Sequence, residues 1–166
     1  MLLTRGILGE VSEPRFAGRT VERLLLDSAD ASKRRLRGRT DEGTDIGVDL
    51  ERGAYLKHGA VLADDGVRVV IVERKPEEAM VVRLAADLDP AERLRQAVRL
   101  GHAFGNQHVP LEVEEDEIRI PITTSREIVA ETVRSLQLDG ADVSLELVRL
   151  GRDRPLQAPA HAHRHE

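Results

Sequence analysis

Apolar and polar residues alternate in short runs through the first half of the chain, then fall into helical spacing in the second. Ile46, Val48 and Leu50 alternate with Gly47 and Asp49. Val67, Val69 and Ile71 alternate inside the longer apolar run from Val67 to Val72. Gly18, Gly38, Gly43, Gly53, Gly59 and Gly66 punctuate these runs. Period-two alternation with closely spaced turns predicts a small β-barrel or sandwich, with no helix before residue 88.

The second half changes character at Lys75-Pro76-Glu77-Glu78, a polar stretch that reads as a domain linker. Ala79 to Leu84 reads as a strand. Asp89 is placed to N-cap a helix, with Pro90 at its first position and Glu92 completing a capping box. Leu94, Ala97, Val98 and Gly101 form one helical stripe. Leu111 and Val113, then Ile118 and Ile120, alternate as strands around the acidic turn Glu114 to Glu117. Thr124 with Glu127 forms a second capping box, and Ile128, Val129, Thr132, Val133 and Leu136 give that helix its apolar face, ended by Asp139-Gly140. Val143, Leu145 and Leu147 alternate with Ser144 and Glu146 in a last strand. The order is β-α-β-β-α-β, the split βαβ arrangement of a ferredoxin-like domain. The expected class is α+β: a β-rich barrel or sandwich over 1–75, a ferredoxin-like domain over 76–150, and a mobile histidine-containing tail over 151–166 that includes Pro155 and Pro159.

Composition narrows the function. The chain has 166 residues, 40% hydrophobic and 33% charged, which suits one large domain or two small ones. Only Phe16, Tyr55 and Phe104 are aromatic, so cores are built from Val, Leu, Ile and Ala, and base stacking is disfavoured. A net charge of −5 argues against a general binder of phosphate backbones. Cysteine is absent, which excludes disulfides and fits a cytosolic protein. No apolar run approaches the roughly 20 residues that cross a bilayer, and Met1 to Glu10 is too short and polar for a signal peptide. The expected location is the cytoplasm.

Histidine is the residue that carries chemistry. Five of six lie in two segments, Gly101-His102-Ala103-Phe104-Gly105-Asn106-Gln107-His108-Val109-Pro110 and His161-Ala162-His163-Arg164-His165-Glu166. Imidazole suits nickel, copper and zinc, and without thiolates any such site uses nitrogen and oxygen donors. If the first helix of the second domain continues, His108 lies near the Leu94, Val98, Gly101 stripe, on a face left bare by Gly101 and Gly105. A two-fold axis along that face would set two copies of His108 side by side. The alternative is that Gly105-Asn106 ends the helix and His108 caps it. His102 falls on a different helical face and reads as an exposed helix histidine. His161, His163 and His165, spaced by two, could wrap one ion on an extended chain, or form a solubilising or engineered tail. His58, in Leu56-Lys57-His58-Gly59, reads as a structural or exposed turn residue.

Two charged runs carry less. Lys33-Arg34-Arg35-Leu36-Arg37-Gly38-Arg39 is strongly basic, but Asp41, Glu42 and Asp45 follow, so it reads as a solvated strand face or a docking patch for an acidic partner. Glu114 to Glu117 lacks the spaced ligands of a calcium loop and reads as a hairpin turn. No phosphate-cradling loop or nucleophile elbow is present, and nothing identifies a catalytic centre.

Together these residues resemble the urease accessory nickel metallochaperones of the UreE family. Gly105-Asn106-Gln107-His108, followed by Val109-Pro110-Leu111, is similar to that family's Gly-Asn-Arg-His motif and the segment after it. Ser32 to Arg37, leading through Asp45-Ile46-Gly47-Val48-Asp49-Leu50 to Arg52-Gly53 and Val61-Leu62, resembles the signature of its N-terminal domain. The histidine-bearing tail fits its variable C-terminus. The resemblance implies a peptide-binding type of N-terminal domain, and a homodimer in which His108 of both protomers shares a nickel ion, with zinc or copper able to take its place. It implies no enzyme activity but delivery of nickel to the urease apoprotein, with the urease accessory GTPase as a partner, and with His161, His163 and His165 as further ligands. The usual motif arginine is Gln107 here, and His102 is displaced by one from a second histidine of some relatives, so no ligand role carries over to it. Bound as neutral imidazoles, such ligands lose their metal as pH falls through roughly 6.5. The competing expectations are a nucleic-acid-binding adaptor using the basic run 33–39 and a metal-dependent hydrolase.

Overall fold

The computed structural model describes residues 1–151. They form two compact units: Met1–Pro76, joined by Arg149, Leu150 and Gly151, and Glu77–Val148. Among the described residues no helix is long and apolar enough to cross a membrane.

The first unit contains β1 (Leu2–Thr4), β2 (Gly9–Glu10), β3 (Thr20–Leu26), α1 (Ser28–Ala31), β4 (Arg35–Arg39), β5 (Asp45–Asp49), β6 (Ala60–Asp64) and β7 (Arg68–Arg74). They make two sheets, ordered β1-β5-β4 and β2-β6-β7-β3. One core joins them: Ile46 and Val48 from the first sheet meet Leu24, Leu26, Leu62, Val70 and Val72 from the second. The other face of the second sheet buries Val61, Val69 and Ile71 against Phe16. A strand buried on both sides reads as a continuous apolar run, which explains Val69 to Val72, whereas Val67 precedes the strand and stays exposed. The sandwich expectation holds.

The expectation of no helix before residue 88 is corrected by two short pieces. Pro14–Phe16 is a 3₁₀ turn, and α1 is a single turn whose N-cap, Asp27, accepts a hydrogen bond from the Asp30 N–H at 2.8 Å. Four residues are too few to print a helical period in the sequence. The polar stretch 75–78 is not a loop either. Only Lys75 separates β7 from β8 (Pro76–Arg83), where Glu78 takes the guanidinium of Arg126 and its carbonyl accepts the Ile122 N–H.

The second unit continues with α2 (Pro90–Asn106), β9 (Glu112–Glu114), β10 (Glu117–Pro121), α3 (Arg126–Ser135) and β11 (Asp142–Arg149). The sheet order β11-β8-β10-β9 with helices after the first and third strands is the ferredoxin-like arrangement. Met80, Val82, Ile118 and Ile120 form one core with Leu100 and Phe104 of α2 and Val129 and Val133 of α3.

Four details differ from the sequence reading. The cap of α3 is Ser125, one residue after Thr124, whose hydroxyl accepts the Ile128 N–H at 3.2 Å. The apolar face is then Val129, Val133 and the partly buried Ala130 and Leu136, while Ile128 is exposed. The helix also stops at Ser135, before Asp139-Gly140. In β11, Val143, Leu145 and Leu147 are exposed, and Ser144 and Glu146 are drawn to Arg83, whose Nη1 lies 2.7 Å from Glu146 Oε1. That guanidinium, with the Ser144 hydroxyl, lowers the Glu146 carboxyl to about 2.

Candidate metal site

The site is built by the C-terminal end of α2. Asp89 caps the start, its carboxylate accepting from the Ala91 and Glu92 N–H groups at 2.9 and 3.4 Å, with Pro90 at the first helical position. The seventeen residues of the helix present two different faces. Gln96, Leu100 and Phe104 are fully buried against the sheet. About a third of a turn away, Leu94 and Val98 are 65% and 60% exposed. The same outer line passes Gly101 and Gly105, where an added Cβ would meet nothing within 4 Å. The steps from Leu94 to Val98, Gly101 and Gly105 run four, three, four, the 3.5-residue period of a helix seam that packs on a partner.

The helix ends at Asn106, with Gln107 as its C-cap. The His108 N–H donates to the Gly105 carbonyl at 3.0 Å, and the Val109 N–H reaches back to the Phe104 carbonyl at 3.0 Å. This pair is a Schellman closure, sealed by contact between the buried Val109 and Phe104. It puts His108 in the position that glycine usually fills, with φ of +56°, a left-handed conformation unfavourable for a residue with a Cβ. Of the two readings of His108, continuation of the helix is overturned and the alternative holds: the helix ends at Gly105-Asn106, and His108 is the first residue beyond the cap. Its side chain is exposed at the negative end of the helix dipole, where cations are favoured. With Gln107 in place of the motif arginine, the last turn holds no basic residue.

The remaining candidates separate clearly. His102 is exposed on α2, with Nε2 3.1 Å from Nδ2 of Asn106, so it props the motif asparagine. His58 is structural: Nδ1 accepts from the Arg74 N–H at 3.3 Å, and its own N–H donates to the Gly151 carbonyl at 3.0 Å. His161, His163 and His165 lie outside the described residues. Among the described residues no three His, Asp or Glu side chains converge on one point within the chain. One chain alone therefore offers His108 as a lone imidazole, with no second such side chain completing a cluster around it among the described residues.

Neither charged run is an alternative centre. Arg35 holds Asp49 at 2.9 Å and Arg37 holds Asp45 through two bonds of 2.9 and 2.7 Å, across the β4–β5 pair. In the Glu114–Glu117 hairpin, Glu114 and Glu117 turn their carboxylates onto Arg119 and Arg83, and Glu115 and Asp116 are exposed. The sequence reading missed that the two halves of the N-terminal signature are the two strands of one antiparallel ladder; the spacing of three arginines at i, i+2 and i+4 is the signal that could have shown it.

The fold defines a two-unit α+β protein with a ferredoxin-like second unit. Family models support that class over the whole length. The model described as UreE urease accessory protein, N-terminal domain, matches residues 5–75, and that for the C-terminal domain matches residues 77–166. The urease accessory protein UreE of Yersinia aldovae is 31% identical over 144 residues, covering 81% of this chain and 63% of the relative. Those of Yersinia pestis (strain Pestoides F) and Yersinia pseudotuberculosis serotype O:1b are equally similar, with 62% of their length covered. This chain therefore spans less than two thirds of those relatives. The chain belongs to the UreE family of urease accessory proteins.

Proposed function

We propose that this chain is a nickel carrier for urease maturation, which holds Ni(II) between two protomers through His108 of each and hands it to apo-urease with the help of the urease accessory GTPase. The observation that carries the reading is the exposed His108, held in a strained left-handed conformation at the end of an unpartnered apolar seam. Backbone strain of this kind costs on the order of 1–3 kcal/mol and is retained at working sites.

The parts fit one another. Glycines at 101 and 105 let a second α2 approach closely, and Leu94 and Val98 give that contact apolar area to bury. A two-fold axis across the seam brings two neutral imidazoles to one ion, and both helix dipoles point their negative ends at it. Two nitrogen donors do not fill a nickel shell, so water and the tail residues His161, His163 and His165 complete it. A partial shell of exchangeable ligands suits a cargo: tail ligands leave one at a time, and the folded core stays intact during release. Copper generally binds such donors more tightly than nickel, so selectivity comes from docking to the maturation partners. In this reading the protein works in the cytoplasm as a homodimer.

Isothermal titration of nickel into the wild type and His108→Ala tests the assignment. The expected result is loss of the tightest site, with one ion per two chains in the wild type. Tightest-site binding that survives the substitution unchanged would refute it.

A further inference from the structure

The first unit is nearly balanced in charge, whereas the second is anionic. Residues 1–76 hold 14 Lys and Arg against 13 Asp and Glu, whereas 77–166 hold 11 against 17. Within the first unit, Leu2, Leu36, Ile46 and Val48 turn into the core, so the outer face of the β1-β5-β4 sheet is Leu3, the aspartates and glycine of β5, and the arginines of β4. Leu3 is 53% exposed and leans over Gly47, where an added Cβ would come within 3.3 Å of Leu3 Cδ1.

Charge around this apolar centre is unbalanced. Asp49 is surrounded by Arg35, Arg34 and Arg5, and Asp45 by Arg37 and Arg39. Three guanidinium groups lie within 4 Å of the two carboxylates, Arg34 and Arg35 at 3.6 and 2.9 Å from Asp49 and Arg37 at 2.7 Å from Asp45, and Arg5 and Arg39 add positive charge nearby. The two kinds also sit at different heights. The Arg35 and Arg37 side chains are 69% and 70% exposed, while those of Asp49 and Asp45 are 35% and 28% exposed. The carboxylates lie at the base, fix the guanidinium groups by hydrogen bonds, and leave a cationic outer layer for an approaching partner to meet.

We propose that this sheet face is a docking surface for an acidic protein segment that carries an apolar side chain onto Leu3. An apolar centre inside a cationic rim is the arrangement of a protein interface, where the centre supplies affinity and the rim supplies orientation and encounter rate. A nucleic acid is the poorer fit. The face offers no aromatic ring for bases, and the chain as a whole is anionic. The surface belongs to the first unit and His108 to the second, and the proposal does not depend on the nickel reading.

The test uses the full chain and a fluorescent twelve-residue peptide of alternating Glu and Asp with one central Leu, followed by anisotropy. The expected result is binding at 50 mM salt that weakens steeply by 300 mM. Arg35→Ser with Arg37→Ser should weaken it by about tenfold or more, and Leu3→Ser by less. Asp49→Asn, which deepens the positive excess, should tighten it, an outcome that loss of structure would not produce. Nickel binding should be the same in all variants. No binding at 50 mM salt, indifference to these substitutions, or equally tight binding of duplex DNA of matched charge through the same arginines would overturn the proposal.

Discussion

The two faces of α2 carry similar residues and have opposite fates. The inner face places Gln96, Leu100 and Phe104 beyond the reach of solvent, where they join the strands of the second unit in one core. The outer face leaves Leu94 and Val98 exposed and then runs out in two glycines and a histidine. An apolar side chain on the inner face stabilises the fold directly. One on the outer face contributes little until a partner covers it. The difference teaches that stability and the proposed assembly are written on the same helix about a third of a turn apart, and so can be altered separately.

The largest expected effect breaks the inner face. Phe104→Ala removes a fully buried ring that packs on Val109 at the helix closure. Loss of about 3–5 kcal/mol is expected in urea denaturation. Nickel binding should fall with it, because the closure that presents His108 loses its apolar seal. A loss below 1 kcal/mol would show that the inner face does not carry the fold.

The next breaks the outer face alone. Leu94→Asp with Val98→Asp puts two charges where a second protomer is expected to sit. Sedimentation should show monomers at concentrations where the wild type is expected to pair, a weakening on the order of 100-fold. Both residues are exposed in the single chain, so unfolding free energy of the monomer should move by less than about 0.5 kcal/mol. A variant that stays dimeric would place the protomer contact elsewhere.

A third prediction sharpens the inner face. The Gln96 side-chain amide is completely buried, and neither its nitrogen nor its oxygen has a hydrogen-bond partner. A buried amide left unpaired costs on the order of 1–3 kcal/mol. Gln96→Leu should therefore stabilise the protein by an amount in that range, with sedimentation unchanged. A destabilised variant would mean that the amide is satisfied in solution.

Gln96 also explains what the sequence could and could not disclose. The β-α-β-β-α-β order was legible because the strands alternate, Asp89 caps with Pro90 behind it, and turns separate the elements. The outer stripe was legible because Leu94, Val98 and the glycines fall on a clean period. The inner face was not, because a glutamine breaks its apolar run at 96 and leaves only Leu100 and Phe104 to mark it. The cap of α3 was misplaced by one residue because Thr124 and Ser125 are both good caps and only the path out of β10 selects between them. In β11 the period-two pattern was right, but Arg83 draws Ser144 and Glu146 to itself and leaves the apolar residues in solvent. His108 stood out by its chemistry. Its conformation did not, because no residue pattern announces a histidine in the place of a capping glycine.

The smallest expected effect tests that conformation and joins the two faces. At φ of +56° a histidine carries left-handed strain that a glycine would not. Relief of about 1–2 kcal/mol in His108→Gly is partly offset by the greater freedom of glycine in the unfolded chain, so a net gain of roughly 0.5 kcal/mol is expected. His108→Ala keeps the strain and should show no gain. Both variants should lose the tightest nickel site equally in titration. A stabler protein that no longer holds nickel would show that this position is kept for its ligand at a cost to the fold. Equal stability of the glycine and alanine variants would remove strain from the argument and leave the exposed imidazole to stand on the seam alone.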